Sequence, residues 1–266
     1  VATFEAVPAD LMEGLTAISV SAAAAILAAK GPGGVRIKAD GSPVTDADMA
    51  ADAVVRDGLC RLAPSLPIIS EEAARTDDRA ASNGRYFLVD PLDGTREFIA
   101  GHDDYTVNIA LMSAGAPVLG IVTAPALGLI WRGAVGRGAD RLSFSADQVS
   151  ASQPIHARAR PQSELIVLVS RSHLDAATET YLKGLPHVRC VACGSSVKFC
   201  RVAEGIADHY PRLGPVRDWD VAAGHAVLVA AGGTITSPDG APLIYGTPEL
   251  RIPGFLAWGA PASSSA

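Results

Sequence analysis

The stretch Tyr86-Phe87-Leu88-Val89-Asp90-Pro91-Leu92-Asp93-Gly94-Thr95 decides how the chain is read. Four apolar residues bounded by turn formers predict a strand, and that strand runs straight into two carboxylates three residues apart. Like charges about 4 Å apart repel by roughly 4 kcal/mol at an effective dielectric of 20, so a bound cation or a raised pKa is the natural resolution. Oxygen-only ligands suit magnesium. Pro91 stiffens the expected turn and Gly94 lets the backbone approach a ligand. Thr95 to Ile99 can open a helix whose free N–H groups face a phosphate. A plain Asp-Pro-x-Asp-Gly turn, with Asp93 capping that helix, is the competing reading of the same residues.

Outward from this stretch, short apolar runs alternate with turn signals. Pro67 to Ser70, Tyr86 to Val89, Tyr105 to Met112, Val118 to Thr123 and Leu129 to Ala134 read as strands of one sheet. Two helices precede them, Leu11 to Lys30, closed by Gly31-Pro32-Gly33-Gly34, and Asp46 to Cys60. After about residue 150 strands and helices alternate: Leu165 to Val169, Ala176 to Gly184, Val188 to Val191, Ser196 to Glu204, Ala207 to Tyr210 and Val221 to Ala231. Such alternation is the mark of an α/β layer. Two packed subdomains, 1–150 and 151–266, are expected, with a disordered tail from Pro261 to Ala266.

Acids recur at other element boundaries. Glu71 follows the apolar run Ile68-Ile69-Ser70 and either joins the same cation cluster or starts an acidic loop. Asp220 precedes the apolar helix from Val221, where a carboxylate either caps a helix or binds metal. Thr45 and Asp48 fit a capping box that requires no chemistry.

Bulk properties narrow the partners. The chain has 266 residues, 48% hydrophobic and 19% charged, which describes a globular protein with a substantial core. A net charge of −6 argues against a nucleic-acid surface and leaves small molecules as the expected partners. The longest apolar stretch, Ala17 to Ala29, is interrupted by Ser19 and Ser21 and reads as too short for a membrane span; a cytoplasmic location is expected. Four cysteines, Cys60, Cys190, Cys193 and Cys200, form no disulfide framework. Cys190 and Cys193 make a lone C-x-x-C, more simply read as two buried or half-buried residues at a strand end than as a redox or zinc pair. The glycines at 31, 33 and 34 do not complete a dinucleotide fingerprint, and Lys198 breaks a serine-hydrolase elbow at Gly194-Ser195-Ser196.

Taken together, Ser42-Pro43-Val44-Thr45 with Asp48, Ser70-Glu71-Glu72, Val89 to Thr95 and Trp219-Asp220-Val221-Ala222-Ala223-Gly224 resemble the inositol monophosphatase superfamily. Glu97-Phe98-Ile99, Tyr105 to Ala110, Ser170 to His173, Gly194 to Cys200 and Tyr210-Pro211-Arg212 are similar to its bacterial 3'(2'),5'-bisphosphate nucleotidase branch. The resemblance implies an α-β-α-β-α layered sandwich and hydrolysis of the 3'-phosphate of adenosine 3',5'-bisphosphate, a by-product of sulfate activation, by metal-activated water. It further implies two or three magnesium ions, with lithium competing at the cluster. Glu71, Asp90 and the Leu92 carbonyl would hold one ion, and Asp90, Asp93 and Asp220 a second. Thr95, paired with Asp48, would act on the attacking water, with Glu71 also counted as catalytic, while Gly94 and Thr95 bind the phosphate through their N–H groups. Lys198 and Arg212 are expected to meet the second phosphate, with His173 and Ser195 near the nucleotide. An inositol-1-phosphatase or fructose-1,6-bisphosphatase, and a non-catalytic nucleotide sensor, remain alternatives, and either a monomer or a homodimer is compatible.

Overall fold

The computed structural model describes residues 9–30, 34–73, 84–145, 148–161, 163–172 and 174–261. The chain opens with helix α1 (Ala9–Ala28), the short antiparallel pair β1 (Arg36–Ile37) and β2 (Pro43–Val44), and helix α2 (Asp46–Leu62). Then come β3 (Ile68–Ser70), β4 (Arg85–Asp93), the short helix α3 (Thr95–Ile99), β5 (Thr106–Ser113), β6 (Ala116–Ala124) and β7 (Leu129–Ala134). The meander continues through β8 (Gly138–Ser145), β9 (Gln148–Val149) and β10 (Gln153–Ile155), which the sequence pattern did not suggest. Among the described residues these strands form one eight-stranded sheet in the order β10-β8-β7-β6-β5-β4-β3, with β9 on β8. Every pairing in it is antiparallel except β3 with β4.

The second half supplies β11 (Leu165–Ser170), α4 (Ala176–Lys183), β12 (Val188–Cys193), α5 (Val197–Ala203), β13 (His209–Arg212), β14 (Val216–Arg217), α6 (Asp218–Ala230), β15 (Thr234–Thr236), β16 (Arg251–Ile252) and β17 (Phe255–Trp258). A five-stranded sheet in the order β12-β11-β13-β17-β15 results. β11, β12 and β13 run parallel, and β17 lies antiparallel to β13 and β15.

Side-chain alternation explains how these pieces stack. Successive residues of a strand face opposite ways, so a strand apolar at every position must be covered twice. In β4, Phe87 and Val89 join a core with Leu15, Ile26, Val55 and Leu59 of α1 and α2. Tyr86 and Leu88 face the other way, into a core with Phe199 of α5 and Ala222, Ala223 and Val227 of α6. Beyond α5 and α6 the same core takes in Leu168, Tyr210 and Phe255 of the second sheet. That sheet's far face packs Leu165, Val167 and Val169 against Leu182 of α4. The order α1/α2, sheet, α5/α6, sheet, α4 is the expected five-layer α-β-α-β-α sandwich.

Three local expectations are corrected. Helix α1 is long and apolar enough, over Asp10–Ala28, to meet the length and hydropathy of a membrane-crossing helix, so the stretch is not too short by that measure. Here it serves the core, with Leu15, Ala22, Ala23 and Ile26 fully buried. β4 does not stop at Val89 but carries the ladder to Asp93. Helix α6 starts at Asp218, before Val221, because two acids in its first turn complement the helix dipole. His173 and the tail from residue 262 lie outside the described residues.

Candidate active site

Pairing of β4 with β5 sets Asp90 opposite Asn108 and Asp93 opposite Thr106, so three steps on β4 match two on β5. This bulge accommodates Pro91, which has no N–H for the ladder. It also cancels the alternation that would send residues three apart to opposite faces, and both carboxylates line one cavity. The expected turn is therefore a bulged strand. Beyond it Gly94 adopts φ 91° and ψ 39°, a left-handed conformation that favours glycine, and α3 begins.

Parallel pairing sets Ser70 of β3 beside Val89, which brings Glu71 out next to Asp90. The first turn of α6 delivers Asp220, whose Oδ2 accepts a hydrogen bond from Arg217 N at 3.1 Å. Oxygens of Glu71, Asp90 and Asp220 all lie within 4.8 Å of one another. Asp90 is fully enclosed, and burial, then the charges of Glu71, Asp93 and Asp220, push its carboxyl well above the usual carboxylate range. Burial, with Asp93 and Glu71 close by, raises Asp220 to about 8. Glu71 is raised as well, burial outweighing the ammonium of Lys38.

Lys38 was not anticipated. Its Nζ donates at 2.7 Å to Oε1 of Glu71 and at 2.7 Å to Oε1 of Glu72. In the sequence it is one lysine in a polar loop, and only the tertiary fold brings it to glutamates more than thirty residues away. Its single charge, shared between two glutamates, leaves the cluster in excess of negative charge. The donor set is all oxygen, hard and convergent, so the residues fit a divalent cation of the magnesium or calcium type.

Thr95 and Asp48 meet across the first half of the chain: Thr95 Oγ1 lies 2.9 Å from Asp48 Oδ1 and 3.3 Å from the Leu92 carbonyl. The other oxygen of Asp48 accepts from Thr45 N at 2.7 Å and Thr45 Oγ1 at 2.6 Å. Asp48 thus caps α2 with one oxygen and holds Thr95 with the other. Leu92 N donates to Asp90 Oδ1 at 3.0 Å, which fixes that carboxylate.

Asp93 stands apart from the tight trio. Its Oδ2 accepts from Ser195 Oγ at 2.7 Å, Ser196 N at 2.7 Å and Ser196 Oγ at 3.0 Å. Ser195 is held at φ 51°, an uncommon conformation for a residue other than glycine. Lys198 is no solvated charge: it is 2% exposed, and its Nζ donates to the carbonyls of Ser195 at 2.7 Å and Cys193 at 3.2 Å. The ammonium also lies 5.0 Å from the centre of the Tyr210 ring. Arg212 ends β13 in the same cavity, and although burial works against its charge, Tyr210, Asp220 and Asp93 keep its pKa above the ordinary value. One cavity is therefore lined both by the acids Glu71, Asp90, Asp93 and Asp220 and by the bases Lys198 and Arg212.

Cys190 and Cys193 lie three residues apart on β12, so their side chains leave opposite faces; both are free thiols, and Cys193 is half-buried as expected whereas Cys190 is exposed, because β12 is the edge strand of its sheet.

This fold and this carboxylate-lined cavity define a class: the chain belongs to the inositol monophosphatase family, whose sequence profile matches residues 11–260. It is 46% identical over 220 residues to the 3'(2'),5'-bisphosphate nucleotidase CysQ of Shigella flexneri, covering 82% of this chain and 86% of that protein. The CysQ homologue of Haemophilus influenzae is 32% identical over 229 residues, covering 85% of this chain and 83% of its own length. The crystal structure of CysQ from Bacteroides thetaiotaomicron matches with a TM-score of 0.79 and 32% identity over 94% of this chain and 97% of that one.

Proposed function

We propose that the protein is a magnesium-dependent 3'(2'),5'-bisphosphate nucleotidase that converts adenosine 3',5'-bisphosphate to AMP and phosphate. The single observation that carries the reading is the cavity in which Glu71, Asp90 and Asp220 converge within 4.8 Å and which Lys198 and Arg212 also line. A substrate with two phosphates needs both sets of residues, one for the ester to be cleaved and one for the phosphate that stays. Similarity to the CysQ nucleotidases supports the same substrate.

In this reading Glu71, Asp90, Asp220, the Leu92 carbonyl and Asp93 would hold two or three ions. Bound magnesium supplies Lewis-acid activation of water and charge stabilisation at the phosphoryl group. Thr95 accepts and orients the proton of the attacking water, and Asp48 draws on the Thr95 hydroxyl at 2.9 Å. The N–H groups of Gly94 and Thr95, at the start of α3, bind the transferred phosphoryl oxygens. Lys198 and Arg212 pair with the second phosphate, beside Ser195. Residues 1–150 would thus carry most of the ion ligands, and residues 151–266 the substrate contacts with Asp220.

The test is phosphate release with magnesium from adenosine 3',5'-bisphosphate, inositol 1-phosphate and fructose 1,6-bisphosphate in parallel. A clear preference for the nucleotide is expected. Faster turnover of inositol phosphate would overturn the substrate assignment, and no turnover of any of the three would overturn the enzyme.

A further inference from the structure

Asp104, in the segment between α3 and β5, does not line the catalytic cavity, yet it grips two loops of the second sheet. One oxygen accepts a hydrogen bond from Gly194 N and the other from Arg171 Nη1. Gly194 is pressed so closely that a Cβ on it would lie 2.6 Å from the Asp104 carbonyl oxygen and 2.8 Å from Glu97 Cγ. The residues that follow, Ser195 and Ser196, supply three of the hydrogen-bond donors to Asp93 Oδ2, and Ser196 Oγ also reaches the Asp220 carbonyl at 2.9 Å. A continuous chain of contacts thus runs from Asp104 through Gly194 to the two serines and on to Asp93.

We propose that Asp104 is a positioning residue for the reaction: by pinning Gly194 N–H it sets Ser195 and Ser196 so that they orient the Asp93 carboxylate toward the ion cluster. The inference rests on the phosphatase reading, in which Asp93 serves that cluster. Arg171 orients the other oxygen of Asp104 and is secondary, because Gly194 is the residue that leads to the serines. Lys198 Nζ donates independently to the Ser195 carbonyl at 2.7 Å, a contact that does not involve Asp104.

Asp104→Ala, Asp104→Asn and Arg171→Met are compared with wild type by steady-state kinetics, by calorimetric magnesium titration without substrate, and by thermal unfolding. Asp104→Ala is expected to lower kcat at least about tenfold with KM changed less than about threefold, and to weaken magnesium binding several-fold. Asp104→Asn keeps an acceptor for Gly194 N–H and should recover most of both losses, whereas Arg171→Met should stay within about threefold of wild type. If Asp104→Ala does not fold, Asp104→Ser, whose shorter side chain cannot reach Gly194 N, provides the same comparison. The proposal is overturned if the truncated variant matches wild type in kcat and magnesium affinity, or if Asp104→Asn is as impaired as the truncation. Failure of the nucleotidase reading is seen separately, as a wild type that does not hydrolyse the bisphosphate; the magnesium titration then still decides the coupling.

Discussion

Replacing Gly120 by alanine adds one methyl group at the point where the first sheet meets α6. Gly120 lies mid-strand in β6, opposite Ala110 of β5 and Gly133 of β7. A Cβ at this position would stand 2.2 Å from the Ala223 carbonyl oxygen and 2.9 Å from its carbon. Close carbon–oxygen contacts sit near about 3.3 Å, so α6 would have to retreat from the sheet by roughly 1 Å. The obstacle is backbone, and the neighbouring seat has no slack, since a Cβ on Gly133 would lie 2.8 Å from Ala230 Cβ. Overpacking of this kind costs about 2–3 kcal/mol, which lowers Tm by about 4–10 °C in a chain of this size. Asp220 rides on the same helix three residues before Ala223, so a retreat of that size should also lower kcat by about a hundredfold. Calorimetric unfolding and phosphate release, each with and without magnesium, read the two effects. A variant with wild-type Tm refutes the packing argument. One with lowered Tm but intact kcat and magnesium affinity refutes the link from seat to site.

Three further expectations concern the charges of the cavity. Asp90→Asn should raise the Tm of the metal-free protein, because it removes a carboxylate that burial and four neighbouring acids disfavour, and should abolish both activity and stabilisation by magnesium in a thermal-shift titration. Thr95→Val should lower kcat by about two to three orders of magnitude with little change in KM, since it removes the hydroxyl held by Asp48 and leaves Lys198 and Arg212 untouched; steady-state kinetics on the bisphosphate measures this. Asp220 holds its proton below about pH 8 in the metal-free protein, so magnesium must displace that proton as it binds. Calorimetric affinity should therefore fall as pH drops from 8 to 6, by up to about tenfold per unit, and a flat profile would contradict the assignment. In linkage terms a raised carboxyl makes the folded, metal-free state bind a proton the unfolded chain has already released. Its destabilising effect is present above pH 8 and relieved on acidification toward the ordinary carboxylate range.

The sequence by itself determined the strands of the first sheet, the alternating second half and most of the acids of the site, while the five-layer architecture came from its resemblance to a known family. An apolar strand without alternation, Tyr86 to Val89, must be buried on both faces, and acids immediately after such strands or in the first turn of an apolar helix are delivered to element ends whatever else the chain does. The short edge strands β9, β10 and β15 escaped notice because two or three residues carry no measurable periodicity. Tertiary structure decided which side chains close on the cluster. Lys38 meets Glu71 across 33 residues of chain, Asp93 meets Ser195 and Ser196 across about a hundred, and Asp104 reaches Gly194 from a loop that looks like plain connection. Local propensity reports what a segment prefers. Register, bulges and the sub-ångström seating of α6 on Gly120 and Gly133 follow from how whole layers pack, and that packing sets the distance from one carboxylate to the next.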